Sequence, residues 1–166
     1  MALSKEHRQR QLAVVGAIGR EHFLTGVRMM YACRYGDALK HFQEAVMLEP
    51  QLRGYLSYLG LAIAHAHKKY TEAEQLCRRS IEVEYHRPEH YFNLAEVYVL
   101  AGRRGEAVKC YNQALSWNPN FDAALDALRK LGVRRPPVVP MLHRDHPLNI
   151  MLGKTFRRKA RRTQPA

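Results

Sequence analysis

Between Pro88 and Pro119 the sequence sets eight residues at intervals that few folds need. They are Tyr91, Leu94, Ala95 and Tyr98, then Ala107, Tyr111, Ala114 and the closing Pro119. The first four recur at three and four residues, which places them on one face of a helix; the next three repeat the pattern on a second helix. Small residues on both helices let the two backbones approach closely as an antiparallel pair, and the aromatics fill the space beside them.

One such hairpin cannot bury its own apolar face, so neighbours are required. Ala38, Phe42, Ala45 and Pro50 supply one copy, 69 residues before Ala107, Tyr111, Ala114 and Pro119. Between them, Leu59-Gly60 follows Thr25-Gly26 by 34 residues, whereas Ala73 follows Ala38 by 35. That difference puts one extra residue in the turn around His67-Lys68-Lys69. The middle copy carries Cys77 and Ser80 where the others have an aromatic and a second alanine. The pattern resembles the tetratricopeptide repeat (TPR), a helix–turn–helix unit of about 34 residues. Three copies are read, at 19–52, 53–87 and 88–121.

The resemblance implies an all-α fold: a TPR helical-hairpin solenoid with a C-terminal capping helix and an extended basic tail. Before the repeats, residues 1–18 are expected to form an N-terminal helix from Ser4, with Leu12, Val14, Val15 and Ile18 covering the open end of the first repeat. The first leading helix should run over about 20–32, with Gly36 supplying a left-handed turn and Asp37 capping the next helix. In the second repeat the helices should span about 54–67 and 71–84, Thr71 and Glu74 forming a capping box. The third should span about 89–101 and 105–117. Residues 120–131 are read as the capping helix: Ala124, Leu125, Leu128 and Leu131 make its apolar stripe, and Gly132 stops it. The repeats and this helix form one unit, 19–131.

Charge divides the chain differently. The net charge of +12 falls as +3 over residues 1–20, +1 over 21–131, where fourteen Lys/Arg meet thirteen Asp/Glu, and +8 over 132–166, where nine meet one. The repeats are nearly neutral and the tail, 132–166, is basic. Its Arg134-Arg135-Pro136-Pro137 start cannot be helical. Residues 148–162 are a conditional amphipathic helix carrying Arg157, Arg158, Lys159, Arg161 and Arg162, which could meet phosphates of an acidic membrane surface or of nucleic acid.

Chemistry has little to work with. Gly-rich phosphate loops, zinc-protease helices and nucleophile elbows are missing from the sequence, and Gly16 and Gly19 are too sparse to count as a loop motif. Cys33, Cys77 and Cys110 form no metal-type pair and read as small apolar filler. Of nine histidines, His65 and His67 diverge on a helix, Pro88 separates His86 from His90, and His143 and His146 lie in a loop with Asp145. No metal, no cofactor, no small-molecule substrate and no catalysis are expected. No apolar run reaches the 18 or so residues needed to cross a bilayer, and a cytoplasmic location is the expectation.

The resemblance supplies a binding surface instead, because in this family the leading helices line a concave groove. Matching positions place Phe23, Val27, Met30 and Tyr31 there from the first repeat, Leu61, Ala64 and His65 from the second, and Phe92, Glu96, Val99 and Leu100 from the third. TPR proteins that grip a chaperone's C-terminal carboxylate use Lys, Arg and Asn on these helices; here Phe23, Ser57 and Phe92 stand at the lysine positions. The expected function is therefore non-catalytic binding of a hydrophobic or amphipathic protein segment, as an adaptor, scaffold or assembly factor. Two alternatives stand beside it. One is a relative of the small three-repeat bacterial secretion chaperones; the other is an anchor that holds acidic membrane or nucleic acid by its tail.

Overall fold

A computed structural model describes residues 5–132 together with Pro147 and Met151, with side chains from Leu12 onward. Seven α-helices are found among them: α1 (Lys5–Tyr31), α2 (Tyr35–Leu48), α3 (Tyr55–His67), α4 (Tyr70–Val83), α5 (Pro88–Leu100), α6 (Arg104–Trp117) and α7 (Asp122–Lys130). The helices pair as α1–α2, α3–α4 and α5–α6; α2 then packs on α3, α4 on α5, α3 on α5, and α7 closes on α6. This is a TPR-like helical solenoid. The expectations for Ser4, for the proline-rich stretch, for the 148–162 helix and for the basic tail lie outside the described residues.

The core follows the spacing that the sequence sets. Ala38, Phe42 and Ala45 on α2, Ala73, Cys77 and Ser80 on α4, and Ala107, Tyr111 and Ala114 on α6 are all buried. Each trio faces the leading helix of its own hairpin, and the smallest residues sit where backbones come closest. A Cβ at Gly26 would lie 2.7 Å from the Phe42 ring, and one at Gly60 would lie 2.7 Å from the carbonyl oxygen of Ala73.

The helix boundaries differ from expectation in three places, each for a local reason. First, α1 is a single helix of 27 residues and not two. No proline or capping residue interrupts it, and Gly16 and Gly19, helix-weakening by about 1 kcal/mol each, have a packing role. The Glu49 side chain lies against both, so that a Cβ at Gly19 would stand 2.9 Å from its carboxylate oxygen. Glu49 is itself buried and accepts a hydrogen bond from the Tyr55 hydroxyl at 3.2 Å. With Gly16 and Gly19 facing Glu49, Leu12, Val14, Val15 and Ile18 are left exposed and cover nothing.

Second, the left-handed residue of the first turn is Cys33 (φ 57°), not Gly36, which lies inside α2. Cys33 N–H donates to Met30 and Arg34 N–H to Met29, and the third turn repeats this with Gly102 (φ 73°), whose N–H reaches Val99 while Arg103 N–H reaches Tyr98. These paired bonds satisfy the last carbonyls of the leading helix. Cys33 is exposed, so it is no apolar filler. Asp37 sits in the first turn of α2 and pairs with Arg34 at 2.7 Å. In the second turn Lys68 (φ 58°) takes the left-handed position, and the extra residue of that repeat is absorbed in the last turn of α3, just before it.

Third, Thr71 and Glu74 form no capping box: α4 starts at Tyr70 with no side-chain cap. Glu74 is held elsewhere. It accepts hydrogen bonds from the Tyr98 hydroxyl at 2.8 Å, Arg78 at 2.9 Å and Arg103 at 2.7 Å. Partial burial works against its charge, but these three donors outweigh it and keep the carboxyl below its usual range. At the C-terminal end, Gly132 (φ 71°) follows α7 as the expected left-handed stop.

Candidate partner-binding surface

The leading helices α1, α3 and α5 carry the eleven residues assigned to the groove, and the structure sorts them into three groups. Leu61 and Ala64 are buried, at 8% and 1% exposure, and offer a ligand almost nothing. Phe23 and Phe92 are half-buried in packing contacts: Phe23 reaches the second repeat, stacking on Tyr55 at 4.3 Å and meeting Tyr58 edge-on, while Phe92 lies within its own repeat against Tyr111 and Phe121. Val27 and Met30 pack partly against the core cluster built around Phe42. The accessible members are Tyr31, 87% exposed, and Val99, 36% exposed, with the half-buried His65, Glu96 and Leu100.

Side chains beside these complete the surface. Leu24 is 48% exposed on α1. Tyr35, opening α2, stacks flat on His65 with ring centroids 4.0 Å apart, and burial lowers the His65 pKa. Tyr58 has its hydroxyl pushed up to about 12, first by burial and then by the nearby Glu89 carboxylate and Tyr31. Glu89 has an Oε2 atom that is buried with no hydrogen-bond partner. Glu96 accepts a hydrogen bond from the Tyr111 hydroxyl. The fixed carboxylates on α5 therefore stand beside aromatic and aliphatic side chains. Leu24 and Glu89 were within reach of the sequence, since each neighbours an assigned position or occupies the second position of its leading helix; Tyr35 was not, because it lies on a following helix.

Beneath this surface the second and third repeats are joined by a buried polar network. The Ser57 hydroxyl lies 2.8 Å from His90 Nδ1 and accepts a hydrogen bond from Asn93 Nδ2 at 3.1 Å, and His90 Nε2 lies 3.3 Å from Glu84. Ser57, His90 and Asn93 are buried. Glu84 favours a charged imidazole, but burial outweighs it and the His90 pKa is lowered. The unfolded chain consequently takes up protons near pH 6.5, where a free imidazole titrates, before the folded one does. Stability is therefore fully present above that pH and is lost as pH falls below it. Urea midpoints should drop between pH 7.5 and 5.5, and His90→Gln should lessen the drop; a midpoint that does not move with pH would contradict this assignment.

A cleft of about 360 Å³ between α4 and α6 is lined by Arg78, Tyr91, Tyr98, Lys109 and Cys110 among others. Burial pushes the Cys110 thiol up to about 11 and the Cys77 thiol higher still, so neither is an activated nucleophile. Among the described residues no group of three or more His, Cys, Asp or Glu converges as a metal site, and no described helix is long and apolar enough to cross a membrane.

Residues 64–131, from the end of α3 through α7, match the family model described as Tetratricopeptide repeat. No curated protein matches the sequence. Among solved structures, the first TPR domain of the human RPAP3 protein superposes with a TM-score of 0.59 at 19% identity, covering 69% of this chain and 90% of that one. The first TPR of Spaghetti (RPAP3), bound to the HSP90 peptide SRMEEVD, gives 0.57 at 19% identity over 70% of this chain and 92% of that one. The Arabidopsis OM64 TPR domain gives 0.58 at 18% identity over 70% and 96%. At these identities the likeness is one of fold.

Proposed function

We propose that this tetratricopeptide-repeat solenoid is a non-catalytic protein-interaction module, an adaptor or assembly factor, whose leading helices receive an apolar or amphipathic segment of another protein. The observation that carries the reading is the composition of the accessible surface. Tyr31, Leu24 and Val99 are exposed apolar side chains on helices whose other faces are committed to packing. The two aliphatics supply apolar contact area, and Tyr31 is of the residue type that forms binding hot spots. The same scaffold in the Spaghetti structure holds a peptide, which supports the use of the fold but not the same ligand.

Charge argues for a different ligand. A peptide ending in Glu-Glu-Val-Asp presents carboxylates, and a surface that grips them needs cations. Here Phe23, Ser57 and Phe92 replace those cations, while Glu89 and Glu96 add negative charge on α5. The two carboxylates make α5 acidic, so the segment we favour is apolar with a lysine, arginine or amide placed toward that helix.

The experiment is recovery of partners by the full-length chain and by a variant carrying Leu24→Ala, Tyr31→Ala and Val99→Ala, with the SRMEEVD peptide titrated separately. Protein partners should fall at least tenfold with the variant, and the acidic peptide should bind neither chain. Equal recovery by both chains, or tight binding of the acidic peptide, would overturn the reading. The tail supports a second reading, since nine Lys/Arg against one Asp over residues 132–166 suit a polyanion. Partners held that way should be released by raising salt from 50 to 200 mM, whereas apolar contacts should not.

A further inference from the structure

His22 on α1 and His41 on α2 stand outside everything described so far. They are 19 residues apart in sequence, and their Nδ1 atoms lie 3.1 Å from each other, with ring centroids 5.3 Å apart and the rings tilted by 42°. Both side chains are half-buried between the two helices of the first hairpin. Two neutral imidazoles in this arrangement share one Nδ1–H···Nδ1 hydrogen bond, which holds the two nitrogens side by side.

From this geometry we propose that His22 and His41 form a two-histidine site for a borderline divalent transition ion such as Zn²⁺ or Cu²⁺. Metal–imidazole bonds are about 2.0–2.1 Å long. Two nitrogens 3.1 Å apart at that distance from one ion subtend about 95–102° at it, between the square-planar and tetrahedral angles. The nitrogens already stand at the spacing that coordination needs, and turning the two rings brings both lone pairs onto the ion. Imidazole nitrogen selects zinc, copper and nickel over magnesium and calcium, which prefer oxygen. Asp37, one turn before His41 on α2, is engaged by Arg34 at 2.7 Å, so the two imidazoles are the ligands proposed here.

Binding requires both Nδ1 lone pairs. The ring that donates the N–H in the metal-free pair moves that proton to its own Nε2, a tautomer change that releases no net proton. Ligation then ties α1 to α2 in the hairpin that also carries Leu24 and Tyr31. Metal occupancy would thereby stiffen the first repeat at the edge of the binding surface.

Titration of the full-length chain with ZnCl₂ by calorimetry, in a buffer that does not chelate zinc, should show one site per chain that dominates any weaker histidine sites. His22→Ala and His41→Ala should each weaken it at least tenfold, and His86→Ala, at an exposed position, should leave it unchanged. Histidine side-chain nitrogen NMR on the unaltered chain provides a test that needs no variant: zinc should shift the Nδ1 resonances of His22 and His41 together and stoichiometrically. Absence of a single dominant site, insensitivity of that site to both substitutions, or zinc shifts centred on other histidines would each overturn the proposal.

Discussion

Phe42→Ala should cost the first repeat about 3–5 kcal/mol, the range for truncating a fully buried phenylalanine. Phe42 has no exposed surface and is among the largest fully buried side chains. It lies 5.8 Å from the Phe23 ring and 5.9 Å from Tyr58, so it joins the first hairpin to the leading helix of the second. The upper part of the range applies because the cavity cannot collapse: the wall opposite the ring is Gly26, which has no side chain to move in. Against a domain stability of about 5–15 kcal/mol, such a loss leaves the array barely folded. Because each repeat touches only its neighbours, amide exchange should rise first in α1 and α2, with α5 and α6 protected longer. Urea denaturation reads the loss directly; one below 1 kcal/mol would mean that the ring does not carry this junction. Cys77, at the matching position of the second repeat, is the smaller counterpart.

That contrast marks what the sequence reveals and what it hides. The intervals linking Ala38, Phe42 and Ala45 to Ala107, Tyr111 and Ala114 were enough to read an all-α solenoid, because close helix packing allows few residue types at those points. Even the degenerate Cys77 and Ser80 were placed by register, and both are buried. Side-chain roles that depend on the relation between helices were not legible. Gly16 and Gly19 belong to no sequence motif, and only the fold sets Glu49 against them. Glu74 looked like a cap but is held by Tyr98, Arg78 and Arg103. Cys33 occupies a left-handed turn that the sequence assigned to Gly36, since the hydrogen bonds of the α1 terminus, not residue preference, set that position.

The assigned surface shows the same limit. Register put Leu61 and Ala64 on a leading helix, but how much a side chain protrudes depends on how far the flanking hairpins close over it. Here α3 packs against α2, α4 and α5, and both residues are buried. Phe23 packs across repeats and Phe92 inside its own, so substituting either would confound folding with binding. Tyr31, Leu24 and Val99 are cleaner probes because exposure separates them from the core. His22 and His41 were invisible as a pair, 19 residues apart on two helices.

The second large effect concerns Gly60. Gly60→Ala should destabilise the protein by about 2–3 kcal/mol, toward the upper end of the overpacking range. The new Cβ would stand 2.7 Å from the Ala73 carbonyl oxygen and 3.2 Å from the Cys77 sulfur. Distances below 3.0 Å force a shift, and here the obstacle is backbone in the first turn of α4, which can yield only by moving that end of the helix. Gly26→Ala provides the comparison, because its Cβ would meet the Phe42 ring at 2.7 Å, a side chain and not backbone. A double-mutant cycle separates the two cases. Phe42→Leu should relieve part of the Gly26→Ala penalty, since the leucine retracts from the clash. Cys77→Ala should leave the Gly60→Ala penalty nearly unchanged, since the carbonyl remains. Full rescue of Gly60→Ala by Cys77→Ala would show that the sulfur, and not the backbone approach of α3 to α4, fixes glycine at this position. The third repeat tolerates Ala95 at the equivalent place, so the constraint belongs to how closely one hairpin is wound and not to the repeat as such.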